Sequence, residues 1–165
     1  MKTIETDRLI IRDFEMNDAE DLQEILGDEE TMKYCEPVYD IEKTKAFLKN
    51  FCIDKKGAVA AVLRETNKLI GYILFNETEQ GVFEIGWFFN RKYWGKGYAF
   101  EACSAVIDNA FAELGADRIF AETVDTVKSV GLMKKLGMQF EKILHIAEDT
   151  FGKPAELHVY GISKK

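Results

Sequence analysis

The hydrophobic positions of this chain change period several times, and each change predicts an element. Residues 8–14, RLIIRDF, set β-branched apolar residues between charges and predict a first strand. After Asn17, a residue suited to cap a helix, DAEDLQEIL has helical spacing and runs to Gly27. Ile41, Thr44, Phe47, Leu48 and Phe51 recur at intervals that predict a second helix over 41–51. The period then falls to two. GAVAAVLRE (57–65) and KLIGYILFNE (68–77) flank the polar pair Thr66-Asn67 and predict an antiparallel hairpin, with VFEIGWFF (82–89) as a third strand beside it.

From Tyr98 onward Ala99, Ala102, Cys103, Val106, Ile107, Ala110, Phe111 and Leu114 form an almost unbroken helical series, and Gly115 stands where the helix C-terminus needs it. RIFAETV (118–124) predicts another strand. Thr126 to Leu136 predicts another helix, capped by Asp125 or Thr126 and stopped at Gly137, and 138–147 and 156–163 predict two closing strands. The order implies an α/β or α+β protein: a mixed, mostly antiparallel sheet flanked by helices, with a mainly antiparallel N-terminal half. No repeat, low-complexity tract or proline-rich linker divides the chain, so residues 1–165 are expected to form a single domain.

Composition narrows the function classes. The 22 basic residues against 29 acidic ones give a net charge of -7, which argues against a nucleic-acid backbone or an anionic membrane as partner and leaves room for a cationic substrate. Cys35, Cys52 and Cys103 are odd in number and lack a C-x-x-C pair, so neither a disulfide framework nor a metal site is expected. MKTIETDRLI lacks the basic-then-apolar run of a signal peptide, and no apolar stretch has the length of a membrane span. The expected compartment is the cytoplasm, which makes the sequon Asn76-Glu77-Thr78 a chance match. Oligomeric state is not legible.

The chemistry concentrates in FEIGWFFNRKYWGKGYAFEA, residues 83–102, where a strand gives way to a glycine turn and then at once to a helix. Such a junction presents unpaired backbone N–H groups at a helix N-terminus, where the dipole favours negative charge. Gly95 and Gly97 let the backbone curl closely around an anion, and Lys96 adds positive charge. A Walker A loop is excluded because its glycines need four residues between them, and a dinucleotide fingerprint is excluded because Phe100 stands at its third glycine.

The full stretch Lys92-Tyr93-Trp94-Gly95-Lys96-Gly97 resembles the acetyl-CoA-binding motif of the GNAT superfamily of N-acyltransferases, Gln/Arg-x-x-Gly-x-Gly/Ala, which opens the central helix and grips the cofactor's pyrophosphate. ETDRLIIRDF (5–14), SVGLMKKLGMQFE (129–141) and ELHVYGI (156–162) resemble the opening strand, the late helix and the closing strand of the branch that includes ribosomal-protein N-terminal acetyltransferases. The resemblance implies a GNAT-like fold, acetyl-CoA as co-substrate without a metal, and transfer to a primary amine such as a protein N-terminus. Polyamines and aminoglycosides are alternative acceptors, and a non-catalytic acyl-CoA-binding module is an alternative role. The implied cofactor contacts are Trp87, Phe88, Phe89, Lys92, Trp94, Gly95, Lys96, Gly97, Tyr98, Ala99, Thr126 and Ser129. This chain departs from the pattern in having Lys92 for Gln or Arg, Thr126 where Asn is frequent, and Met133 where many relatives carry a proton-donating tyrosine.

Acyl transfer to an amine requires a neutral nucleophile, although an α-amino group has a pKa of about 7.7 to 8.0 and a lysine about 10.4. Strand alternation in VFEIGWFF sets Phe83, Ile85, Trp87 and Phe89 on one face and Glu84, Gly86 and Phe88 on the other, making Glu84 the leading candidate base. Pairing of Glu84 with a basic residue across the sheet is the competing expectation, and Glu122 is a second candidate base. Backbone N–H groups near Trp87 and Phe88 are the implied oxyanion donors. Ser129 is the candidate neighbour of the thioester sulfur, with Tyr160 as an alternative donor. His145 and His158 lack a Ser or Cys partner at an interpretable spacing, so direct transfer is expected over a covalent enzyme intermediate.

Overall fold

A computed structural model describes residues 1–165. Its sheet contains β1 (Ile4–Glu5), β2 (Leu9–Arg12), β3 (Ala58–Leu63), β4 (Leu69–Glu79), β5 (Val82–Phe89), β6 (Arg118–Thr123), β7 (Gln139–Ile146) and β8 (Ala155–Ser163). The strands lie in the order β1-β2-β3-β4-β5-β6-β8-β7. All neighbours are antiparallel except β5 and β6. That exception follows from the connection, because α4 (Tyr98–Glu113) carries the chain from the end of β5 back to the start of β6.

Both faces of the sheet are covered. On one, Ile70, Ile73, Ile85 and Phe89 pack with Ala102, Cys103, Val106 and Ile107 of α4. On the other, Ala60, Val62 and Tyr72 pack with Leu22 and Ile25 of α1 (Ala19–Leu26), with Leu48 following α3 (Ile41–Phe47). The continuous apolar runs of β3 and β4 reflect this double burial.

The predicted strands and the long helix all occur, and four departures have local causes. Asn17 does not cap α1 but lies inside a 3-10 turn over Met16–Asp18, where Asp18 Oδ2 accepts the Glu15 N–H at 2.8 Å. The helix expected over 41–51 is α-helical only to Phe47 and then widens into a π-helical turn over Leu48–Asp54. Apolar spacing cannot separate the two over one turn, and the stacked rings of Phe47 and Phe51, 5.3 Å apart, sit at the junction. A short helix, α2 (Glu29–Met32), forms where Asp28 accepts the Thr31 N–H at 3.1 Å. The helix expected from Thr126, α5, spans Lys128–Lys135. Of its two candidate caps Asp125 acts, Oδ1 accepting the Val127 and Lys128 N–H groups at 3.0 and 3.1 Å.

A register shift between Ala61 and Val62 bends β4 against β3. On its other side β4 sets Gly71 opposite Phe89, and a Cβ on Gly71 would stand 2.4 Å from the Phe89 ring. The missing side chain therefore lets the end of β5 seat against β4. Gly71→Ala is expected to cost about 1–3 kcal/mol in urea unfolding, the range for forced overpacking. A loss below about 0.5 kcal/mol, typical of an unconstrained surface site, would contradict that role.

Candidate active site

The site begins where two strands part. β5 and β6 pair only at Val82–Arg118, Phe83–Ile119 and Glu84–Phe120. Beyond that point β5 stays with β4 through Phe89, while β6 stays with β8 through Thr123. The Asn90 N–H donates to the Ile70 carbonyl at 2.8 Å, so alternation turns the backbone groups of Phe88 and Gly86 toward β4 and those of Trp87 toward the opening. Of the two residues expected to supply oxyanion donors, only Trp87 therefore offers its N–H there. The Phe89 carbonyl, on the same side, accepts the Trp94 Nε1–H at 2.7 Å.

That indole bond folds the chain back on itself and starts the glycine turn. Buried Asn90 accepts the Lys92 N–H at 3.0 Å and sets the single turn over Arg91–Tyr93. Gly95 and Gly97 then adopt φ of 78° and 82°, a region costly for residues with a Cβ, and α4 begins. The N–H groups of Lys96, Gly97, Tyr98, Ala99 and Phe100 have no acceptor within the chain, and the first one bonded is that of Glu101, to the Gly97 carbonyl at 3.0 Å. Five unpaired donors at the positive end of a 16-residue helix fit a pyrophosphate.

The cradle is tied to the turn before β2 by contacts the sequence does not announce, because the hydrogen-bonded partners lie 88 to 95 residues apart. Glu101 Oε2 accepts the Thr6 hydroxyl at 2.6 Å and the Arg8 N–H at 2.9 Å. The Arg8 guanidinium donates to Glu101 Oε1 at 2.7 Å and to the Lys96 carbonyl at 2.9 Å, and lies 4.1 Å from the centre of the Tyr98 ring. Burial would raise the Glu101 carboxyl, but hydrogen bonds from Thr6 and Arg8 outweigh it and hold it below the usual carboxylate range.

A cleft of 1460 Å³ runs from this cradle through the opening to the opposite face of the sheet. Trp87, Phe88, Phe89, Trp94, Gly95, Gly97, Tyr98, Ala99 and Ser129 all line it. Lys92 and Thr126 are exposed outside its wall, and Lys96 turns its side chain over Tyr93, 5.9 Å from the ring centre, leaving only its backbone in the cradle. Met133, in place of the expected tyrosine, is buried beside the cleft. Tyr160 belongs to the core instead, edge-on to Phe140. His145 is exposed on β7 and His158 lies beside Phe140, both away from the cleft.

Glu84 and Glu122 share the face opposite α4 and both line the cleft. No basic side chain pairs with Glu84: burial first, and the charge of Glu122 second, raise its carboxyl above the ordinary value of 4.5. The competing expectation of a cross-sheet ion pair is therefore not met. From the sequence, acceptor specificity is expected only broadly, from residues 15–55 and the loop near 148–155; the cleft's far wall consists of Tyr39, Phe47 and Phe51 from the first range, with Tyr72 beside Phe88 from outside it. Their spacing read only as core. No helix is long and apolar enough to cross a membrane, and no three His, Cys, Asp or Glu side chains form a group able to hold a metal.

Comparisons with known proteins agree with this geometry. The family described as Acetyltransferase (GNAT) domain matches residues 8–139. The uncharacterized N-acetyltransferase YnaD of Bacillus subtilis is 38% identical over 141 residues, covering 84% of this chain and 83% of YnaD. The crystal structure of a GNAT-family acetyltransferase from Bacillus anthracis superposes with a TM-score of 0.90 at 32% identity, covering 98% of each chain. The acetyl transferase of Salmonella typhimurium that modifies the N-terminal serine of ribosomal protein L7/L12 shares the fold, with a TM-score of 0.85, 15% identity and coverage of 99% of this chain and 100% of that one. With its phosphate cradle, its parted strands and these relatives, the chain belongs to the GNAT acetyltransferase family and is an N-acetyltransferase that uses acetyl-CoA.

Proposed function

We propose that residues 1–165 act as one catalytic domain that acetylates the α-amino group of a peptide-like acceptor, with Glu84 as general base. The observation that carries the reading is Glu84 itself, a half-buried carboxylate with no basic partner at the mouth of the strand opening. A carboxylate whose affinity for protons is raised by burial suits an amine of pKa about 7.7 to 8.0 better than a lysine of about 10.4. The shared fold with an enzyme that modifies an N-terminal serine supports the same acceptor class, a ribosomal protein among its members.

Acetyl-CoA supplies an activated acetyl thioester, and the chain's residues arrange the rest. The free amides of Gly97 to Phe100 would hold the pyrophosphate, and Trp94 and Ala99 line the part of the cleft that leads from them toward the opening. The Trp87 N–H faces the carbonyl oxygen as charge develops on it. As the amine nitrogen bonds to the carbonyl carbon, its proton passes to Glu84, directly or through one water. The carbon–sulfur bond then breaks, and Ser129, whose hydroxyl makes no hydrogen bond within the chain and lines the cleft, donates one to the departing sulfur. With a thiol pKa of about 8.5 the leaving group tolerates the absence of a stronger acid, which is compatible with Met133 at the usual tyrosine position.

Incubation with acetyl-CoA and a panel of peptides, polyamines and aminoglycosides, read by mass spectrometry, is expected to yield acetylated peptide α-amines. Glu84→Gln should lower kcat by about 10²–10⁴, the usual contribution of a general base. In the native enzyme the acidic limb of kcat should lie above pH 4.5 and should vanish in the variant. An unchanged kcat would move the assignment to Glu122. A raised folded-state pKa means that the stability linked to Glu84 is complete below the unfolded value and is lost as pH rises through the folded one. Glu84→Gln should consequently melt no lower than the native protein at pH 8, and the two melting temperatures should differ least near pH 4. A drop at pH 8 would show a structural role. Gly97→Val, forced to φ near 82°, should raise the KM for acetyl-CoA at least tenfold, and an unchanged KM would refute the cradle.

A further inference from the structure

On the sheet face that carries Glu84, the cleft is walled by aromatic rings in continuous contact. Tyr39 meets Phe47 edge-on at 5.6 Å, Phe47 lies 5.3 Å from Phe51 and 5.7 Å from Tyr72, and Tyr72 lies 5.8 Å from Phe88. Phe47, Phe51 and Phe88 are only half-buried, so their rings still present apolar surface to the cleft. The arrangement is built in: a Cβ on Gly57 would stand 2.3 Å from the Phe51 ring, so that glycine makes room for it. Tyr72 is 4% exposed, yet its hydroxyl makes no hydrogen bond within the chain and opens onto the cleft.

The carboxylates nearest Phe88 on the sheet are unpaired. Glu84 and Glu122 have no basic partner, while the nearby lysines are engaged, Lys33 with Glu30 at 2.8 Å and Lys43 with Glu36 at 3.8 Å. Gly86 lies on the same face between Glu84 and Phe88, about 7 Å from each along the strand. Its φ is ordinary, and a Cβ there would make only normal contact with Leu74 at 3.4 Å, so the fold does not demand glycine. The missing side chain leaves a gap between carboxylate and rings.

We propose that this wall is the acceptor's specificity pocket and that the preferred acceptor carries an aromatic or large apolar group within two or three bonds of its primary amine. The amine then lies over Gly86 within reach of Glu84, and the ring packs against Phe47 and Phe88. An N-terminal aromatic residue of a peptide and a free arylalkylamine share this chemistry. A polyamine or aminoglycoside, charged along its whole length, would leave the apolar rings uncovered. The inference rests on the transferase reading above, and its test separates the two.

The test compares kcat/KM for matched acceptors: a phenylalanine-led against a serine-led peptide, and phenethylamine against propylamine, with spermidine and kanamycin alongside. The aromatic member of at least one pair should be preferred about tenfold or more, the scale of added aromatic contact and burial. In Phe47→Leu, which preserves apolar volume, that preference should shrink below about threefold while the KM for acetyl-CoA and the melting temperature hold. The better pair identifies the source of the acceptor. Preference for the serine-led peptide, spermidine or kanamycin would overturn the proposal, as would a preference untouched in Phe47→Leu. If no amine is acetylated by a protein that binds acetyl-CoA, the transferase assignment of the site falls and the specificity pocket falls with it.

Discussion

The organising constraint of this protein is that two neighbouring parallel strands pair for three residues and then separate. Backbone groups buried without partners cost free energy comparable to a lost hydrogen bond, so most sheets avoid such a parting. Here each strand is held by its other neighbour, β5 by β4 and β6 by β8, and the parting is stable because the outer pairings continue. The bulge beside Gly71 and the fit of Phe89 against it hold the end of β5 in place. What the separation leaves behind is a slot lined by directed N–H and C=O groups, open to both faces of the sheet.

The two faces then take different chemistry. On the α4 side the slot meets the glycine turn, whose free amides and helix dipole suit phosphate, and Arg8 and Glu101 fasten the start of α4 to the chain just before β2. On the other side it meets carboxylates and aromatic rings. A chain of net charge -7 can therefore bind an anionic thioester and a cationic amine at once, because backbone dipoles and the local lysines Lys128 and Lys135 lie at the cradle end of the cleft while unpaired carboxylates lie at the other.

Much of this was legible in the sequence, and the remainder was hidden for identifiable reasons. The period changes gave the β3-β4-β5 meander and the long helix, since these elements are long and strongly patterned, but not the places of β1 and β2 beside β3. The glycine turn was readable because positive φ requires residues without a Cβ. The parting of β5 from β6 was not, since VFEIGWFF and RIFAETV look the same whether paired or apart. Glu84 could be named but its lack of a partner could not, because an ion pair across a sheet depends on register. The aromatic wall was hidden most fully: Phe47 and Phe51 have core spacing, and the π-helical turn that follows Phe47 leaves no distinct pattern.

The account is tested most directly by residue-resolved amide hydrogen exchange, measured by NMR with and without acetyl-CoA. If the parted strands and the glycine turn receive the thioester together, the amide of Trp87 and those of Gly97 to Phe100 gain protection on binding, while the amide of Phe88, already turned toward β4, changes little. Binding that protects neither Trp87 nor the first turn of α4 would contradict it.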